Sequence, residues 1–314
     1  MLAGVWAVVA GLGLIAIVRV VAFDRVHVFM LADSYTLWLY LPAYGIAVSA
    51  ICFRSRALVL AAGLLIAAQL VWVLPPVFRT VSIPAAARSA PRLRVVSANL
   101  NFQNRDYAPD LADFARDDAD VIVLEEVTPD WWSAIEGSGL LTSHPHYAES
   151  LRWDSGGLAI LSRLPLTDVV VHPDVGWPII TATVSVDHQA VHLEAVHLVA
   201  PLDTFDRNQR QQRTITGIIR GLARPRLIAG DFNASPYNRW YGQILGLGLR
   251  EADEAVGRPW ATTWPNGQHL LPSLRLDHFF VDPSLIPLHT AEGRGKGSDH
   301  RPIIVDLAVM PAKN

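Results

Sequence analysis

Arg226-Leu227-Ile228-Ala229-Gly230-Asp231-Phe232-Asn233-Ala234-Ser235-Pro236 is the stretch from which the rest of the chain can be read. Leu227 to Ala229 is a short apolar run, which predicts a buried strand that stops at Gly230. A carboxylate and a carboxamide follow, two residues apart. On an extended chain positions 231 and 233 point to the same side. The strand end then offers one group that can take or orient a proton and one that can hold an oxygen atom. Ser235 and Pro236 predict a helix start, with the serine as cap and the proline in the first turn. An Asp-Asn turn that merely ends a strand has the same composition, so the decision rests on the other strand ends.

Outward from this stretch the same arrangement recurs. Leu93 to Ala98 reads as a strand ending in Asn99-Leu100-Asn101, and Asp120 to Leu124 as a strand ending in Glu125-Glu126. Gly157 to Ser162 is another strand. Ile179 to Val186 and Ala190 to His197 form a hairpin about Asp187-His188. Asp277 lies at the start of a strand at Leu276 to Val281, and Ser298-Asp299-His300-Arg301 precedes the last, Pro302 to Val309. Helices are expected at Asp110–Asp117, at Pro129–Glu136 with Thr128 as cap, at Asp206–Leu222, and after Pro236 to about Leu245. Strands interleaved with helices and hairpins predict an α/β sandwich with mixed or antiparallel sheets. Gly293, Gly295 and Gly297 alternate but precede no helix, so no glycine-rich phosphate loop is present.

The first 80 residues have another character. Met1 to Val18, Ser34 to Phe53 and Ala57 to Phe78 carry no charged side chain, and each is long enough to cross a hydrocarbon core of about 30 Å. They predict a three-helix transmembrane segment over 1–80, a linker over 81–92 with Pro84 and Pro91, and a C-terminal domain over 93–314. Arg54 and Arg56 in the tight loop between the second and third spans place that loop in the cytoplasm. The C-terminal domain of a multi-pass cell-membrane protein then lies outside. Arg79, Arg88, Arg92 and Arg94 argue the other way. The first 80 residues hold five of the 26 basic and two of the 29 acidic residues, so the remainder carries 21 and 27, a formal charge of −6. That is a poor balance for binding nucleic-acid phosphates. Cys52 is the only cysteine, which excludes a disulfide framework and a cysteine metal site.

Ser97-Ala98-Asn99, Leu124-Glu125-Glu126-Val127, Gly157 to Leu166, Val196-His197-Leu198, Gly230-Asp231-Phe232-Asn233, Leu276-Asp277 and Ser298-Asp299-His300-Arg301-Pro302 resemble, in this order, the motifs of the endonuclease/exonuclease/phosphatase superfamily, the DNase I-like fold. The resemblance covers about residues 93 to 309. It implies a four-layer α/β sandwich, two sheets between helices, with Mg²⁺ or Mn²⁺ at one sheet edge. By motif, Glu126 is the principal metal carboxylate, with Asn99 beside it and Asp299 close by. Asp231 orients or deprotonates the attacking water, and Asn233 holds a phosphoryl oxygen. His300 meets the scissile phosphate with its ring fixed by Asp277, and His197 matches a second histidine of many hydrolase members. Relatives often have Gln-Glu where this chain has Glu125-Glu126; the extra carboxylate either weakens the metal's preference or faces solvent.

Members of the superfamily act on many phosphoesters. Three spans before the domain resemble the membrane-anchored VanJ-like bacterial branch, whose proposed substrate is undecaprenyl pyrophosphate. The first expectation is therefore a membrane-anchored phosphohydrolase acting on a phosphorylated or pyrophosphorylated, lipid-linked substrate. Arg163, Arg294 and Lys296 are candidates to meet its phosphates, and Trp131, Trp132, Trp153 and Trp177 are candidates either for the core or for the lipid. The alternatives are a membrane-tethered nuclease, which the charge disfavours, and a non-catalytic membrane protein that kept the fold.

Overall fold

Two of the apolar stretches form helices long and apolar enough to cross a membrane: α1 (Leu2–Ala22), and α5 (Arg56–Val73) with the turn Pro75–Arg79 that continues it. The stretch between them departs from the expected straight span. It is divided into α2 (His27–Ser34), α3 (Thr36–Leu39) and α4 (Leu41–Cys52), with a bend of 78° between α2 and the run that follows. It makes a third crossing only if that bent pair counts as one span. Polar side chains explain the break. Thr36 Oγ1 donates to the Asp33 carbonyl (2.6 Å), and Asp33 takes an ion pair from Arg19 of α1 (3.0 Å). Arg19 interrupts an apolar helix, and its charge is buried but paired, as a charge inside an apolar bundle must be.

The computed structural model describes residues 2–172, 176–202, 204–268 and 270–311; the end of the expected 93–314 domain lies outside them. The chain divides into two compact units, Met1–Arg79 with Ala234–Gly242, and Thr80–Asn233 with Gln243–Asn314. The inclusion of Ala234–Gly242 in the helical unit was not expected. Asn238 explains it. Its amide donates to Asp24 Oδ2 (3.2 Å) and the Met30 carbonyl (3.1 Å), and its oxygen accepts from Ser34 Oγ (2.9 Å). Arg19 adds a bond to the Tyr237 carbonyl (2.8 Å). The same Asn238 oxygen takes the Ser235 N–H (2.9 Å), so residues 235–238 form a turn and the helix predicted from Pro236 starts only at Arg239.

The second unit holds two six-stranded sheets. One contains β1 (Arg92–Asn99), β2 (Val121–Glu125), β3 (His146–Ser150), β4 (Leu158–Ser162), β11 (Leu285–Glu292) and β12 (Ile303–Val309), in the order β11-β12-β1-β2-β4-β3. The other contains β5 (Leu166–His172), β6 (Ile179–Val186), β7 (Gln189–His197), β8 (Arg226–Asp231), β9 (Arg250–Glu251) and β10 (Asp277–Val281), in the order β5-β6-β7-β8-β10-β9. The intervening helices are α6 (Ala108–Asp117), α7 (Pro129–Gly137), α8 (Leu140–Ser143), α9 (Phe205–Gly221) and α11 (Ala252–Ala255), while α10 (Arg239–Leu245) begins in the first unit's segment and enters the second at Gln243. Alternate residues of both sheets, among them Val95, Val123, Ile160, Leu193, Leu227 and Phe279, fill one core between them. Val96, Ile122 and Leu124 on the outer face of the first sheet pack with Phe114 of α6 and Trp131 of α7. Thr128 caps α7, its hydroxyl accepting from Trp131 N (3.1 Å). The mixed α/β architecture with paired sheets is that of the DNase I-like fold.

On β7, Val191, Leu193 and Ala195 enter the inter-sheet core, so Glu194 faces the other way. It is fully buried, and neither carboxylate oxygen has a hydrogen-bond partner among the described residues. Burial pushes its pKa well above 4.5, with the Arg226 charge opposing. A raised folded pKa means that folding binds a proton here. The stability this contributes is complete below about pH 4.5 and drains away as pH rises toward the folded pKa, by up to about 1.4 kcal/mol per pH unit. Glu194→Gln removes that slope. Chemical unfolding in detergent should show the variant gaining on the wild type between pH 5 and pH 8; a constant gap would contradict this.

Candidate active site

The parallel pairs β1–β2 and β7–β8 bring four C-terminal ends to one end of the sandwich. In register, Asn99 pairs with Glu125 and His197 with Asp231, while Asp277 pairs with Asp231 across the antiparallel β10–β8 ladder. A hydrogen bond from Asn99 Nδ2 to Asp231 Oδ2 (3.2 Å) joins the two sheets at this end. Gly230 lets β8 come this close. Its φ is +141°, and a Cβ there would lie 1.8 Å from the Val196 carbonyl oxygen.

Asp231 sits at the centre and is buried. His197 Nε2 lies 3.6 Å and His300 Nε2 3.7 Å from its Oδ2. His300 Nδ1 bonds to Asp277 Oδ2 (2.8 Å), which fixes the ring and leaves Nε2 directed at Asp231. Burial opposes a charge on His300, but Asp277 and Asp231 outweigh it and raise the imidazole to about 10, so the ring is cationic at neutral pH. Burial takes His197 the other way, down to about 3, with the His300 charge adding to the effect. Trp177 packs against the His197 ring at 4.4 Å between centroids. One neutral and one charged imidazole therefore flank the same carboxylate. Burial raises Asp231 to about 8, and His300 opposes the shift.

Glu126 adopts φ +62°, a left-handed conformation uncommon outside glycine, and turns its carboxylate toward Asn99. Its oxygens accept from Asn99 Nδ2 (3.1 Å) and Phe102 N (2.8 Å). Burial raises its pKa, and the described hydrogen bonds to it come from an amide side chain and a backbone N–H. The half-desolvated Glu126 carboxylate is a hard-oxygen donor that suits Mg²⁺ or Mn²⁺, while Asn99 turns its NH2 toward it and its Oδ1 accepts from Asn101 N (3.0 Å). A second grouping, Asp231, Asp277 and His300, also places ligand atoms within 4.8 Å of one another. There a cation would meet a protonated imidazole whose other nitrogen is taken by Asp277, so Glu126 with Asn99 is the better fit.

Asn233 does not lie on an extended chain. Its φ is +44°, and it reaches Asp231 through a turn: Asn233 N donates to Asp231 Oδ1 (2.7 Å), and its amide to the Leu198 carbonyl (2.8 Å). Asp299 is exposed and held by Asn101 Nδ2 (3.2 Å) and Trp264 Nε1 (3.1 Å); its charge is felt at Glu126. Arg163 is not brought to the site. Leu158, the first residue of β4, pairs with Glu125, so Arg163 just past Ser162 emerges at the opposite end and binds Asp118 (2.5 Å). Arg294 is engaged by Asp113 (Nε to Oδ2 3.0 Å), while the Lys296 side chain is exposed.

Glu125 does not face solvent. It is fully buried beside Asp277 and Asp231, accepts from Ser97 Oγ (2.8 Å), and has its pKa pushed well up by burial and then by Asp277. Two supporting residues went unnoticed in the sequence. Ser298 Oγ donates to the Asn99 carbonyl (2.7 Å) and accepts from His300 N (3.0 Å). Thr263 Oγ1 accepts from Leu276 N (3.0 Å) and Asp277 N (3.2 Å). Ser298 stands inside a recognised motif and could have been found; Thr263 carries no local signal.

This site geometry lies within residues 96–300, which match a model described as the Endonuclease/Exonuclease/phosphatase family. The chain belongs to that family. Endonuclease/exonuclease/phosphatase members are phosphoester hydrolases, typically metal-dependent. No curated protein matches the chain. Among solved structures it is similar to TDP2 of D. rerio complexed with single strand DNA product, at 21% identity and a TM-score of 0.59, over 69% of this chain and 98% of that one. It is also similar to the 3' phosphatase NExo from Neisseria bound to product DNA hairpin, at 22% identity and a TM-score of 0.58, over 68% and 98%. An endonuclease/exonuclease/phosphatase from Beutenbergia cavernae gives 18% identity and a TM-score of 0.55, over 70% and 72%. These likenesses establish the shared fold of the endonuclease/exonuclease/phosphatase domain.

Proposed function

We propose that the protein is a membrane-anchored, Mg²⁺- or Mn²⁺-dependent phosphohydrolase that cleaves the phosphoester or pyrophosphate of a lipid-linked substrate by in-line attack of water. The observation that carries the chemistry is the buried Asp231 between a charged and a neutral imidazole, one amide away from Glu126. In its ionised form Asp231, raised to about 8 by burial, accepts the proton of the attacking water. His300, held cationic by Asp277, donates from Nε2 to a phosphoryl oxygen, and the Asn233 amide and His197 hold the others. Glu126 and Asn99, with Asp299 close by, would hold the ion, which would supply positive charge for the phosphoryl oxygens.

The membrane part of the reading rests on α1 and α5. With α2–α4 as a third, broken crossing, the Arg54–Arg56 loop lies inside and the catalytic unit outside, in line with the VanJ-like branch. Purified full-length protein in detergent should release phosphate from a polyprenyl pyrophosphate with Mg²⁺, and lose that activity with EDTA or with Asp231→Ala. Release no greater than from the Asp231→Ala protein would refute it. A nuclease is the second reading, favoured by the DNA in two of the similar structures and opposed by the −6 charge outside the first 80 residues. Plasmid nicking under the same conditions separates the two.

A further inference from the structure

The two ends of the sandwich differ in what their loops expose. Residues 151–157 join β3 to β4, residues 198–202 follow β7, and residues 270–276 lead into β10. The strand registers bring all three to the end that carries Glu125, His197 and Asp231. On these loops Trp153 is 71% exposed, Leu202 71%, Leu270 93% and Leu271 44%. The other three tryptophans considered for lipid contact, Trp131, Trp132 and Trp177, are buried. Turns at the opposite end, at 118–120, 163–165, 187–188, 222–225 and 282–284, expose no large apolar side chain. Single exposed apolar residues are ordinary. Four on the loops of one end, around a polar site, and none on the turns of the other mark a contact surface.

A second, independent observation says what the contact is. One peptide bond after Asn233, at Ala234, the chain enters the segment Ala234–Gly242 that belongs to the unit of apolar helices. Asp24 and Ser34 clasp it through Asn238, and Arg19 through the Tyr237 carbonyl. The chain thus passes from the strand end that bears the site directly into a segment of the apolar-helix unit, and within the sandwich the exposed side chains stand on loops at that strand end.

We propose that the site end of the sandwich docks on the bilayer surface, with Trp153, Leu202, Leu270 and Leu271 entering the boundary between headgroups and acyl chains. Tryptophan suits that boundary, having an apolar ring and a polar N–H. Lys296 and Arg301, exposed on the loop before β12, then lie at headgroup level, where anionic phosphates are found. A site seated this way takes an amphiphile whose phosphate reaches Asp231 and His300 while its chain stays in the membrane. This proposal rests on the membrane-anchored reading, and its test does not use hydrolysis.

Full-length protein is reconstituted into vesicles of phosphatidylcholine and phosphatidylglycerol, with and without bromine on the acyl chains. A small fluorophore is attached to one cysteine at a time: native Cys52, which is exposed, or Leu270→Cys, or Asp187→Cys, the last two in a Cys52→Ser background. Asp187 lies in the hairpin turn at the far end of the second sheet. The expected result is bromine quenching at 270 at least about twofold greater than at 187, with a blue shift of emission. Quenching at 270 no greater than at 187, with Cys52 quenched, overturns the docking while leaving the anchor standing. An unquenched Cys52 overturns the anchor and the docking together. Release of phosphate from a short-chain soluble ester, measured on the same vesicles, tests the catalytic reading separately.

Discussion

Asp231→Asn should lower kcat for phosphoester hydrolysis by about a thousandfold, the middle of the range for loss of a positioned general base, without loosening the fold. An asparagine side chain has the same shape and keeps its oxygen for Asn233 N, while its NH2 replaces the Oδ2 that now accepts from Asn99 Nδ2. It cannot take a proton. The effect on stability has a definite sign. Burial raises Asp231 from 3.8 to about 8, so the stability linked to its proton is complete below about pH 3.8 and is lost as pH rises toward 8. A neutral amide at this position escapes that loss, and the variant's Tm at pH 8 should equal or exceed the wild type's, a trade of activity against stability common at buried catalytic groups. Rate and Tm measured on one preparation check both halves. A variant that melts early would mean that Asp231 is structural.

Glu126→Gln acts on the ion instead of the proton. Glutamine retains an oxygen for Phe102 N but brings no charge, so the Mg²⁺ concentration for half-maximal activity should rise at least about a hundredfold, since even groups that only support a ligand cost 10–100-fold. Activity should recover in part at high Mg²⁺. A titration that superimposes on the wild type's would remove Glu126 from the metal site. Because the side chain is half-buried next to Asn99 and makes no contact with His300 or Asp277 among the described bonds, the His300–Asp277 pair should survive the change.

The strands that carry these groups were legible because each is buried on both faces and reads as an unbroken apolar run. Edge strands were not. β3 buries only Ala148 and shows no apolar run, and β5 carries Val169-Val170-Val171 but exposes them, so its apolar run marks no buried face. β11 contains Pro287 and shifts register between Pro287 and His289, which is what a proline demands and what hides a strand in sequence. The broken middle stretch of the helical unit is uncharged from Ser34 to Phe53; its bend depends on partners such as Arg19 and Asp33 that composition cannot pair. In the site, ordered motifs located the residues, but not their surroundings. Glu125 went inward instead of outward because β2 alternates, and Asn233 reached Asp231 by a left-handed turn instead of by strand geometry. Arg163 was lost because a strand's two ends are some 15–20 Å apart, a distance invisible in a run of letters.

Crystals of the full-length protein soaked in Mn²⁺ and measured for anomalous scattering test the central claim most directly. The account predicts a peak within coordination distance of the Glu126 carboxylate and the Asn99 side chain, with the His300–Asp277 hydrogen bond intact. A peak seated among Asp231, Asp277 and His300, with Glu126 free of metal, would contradict it.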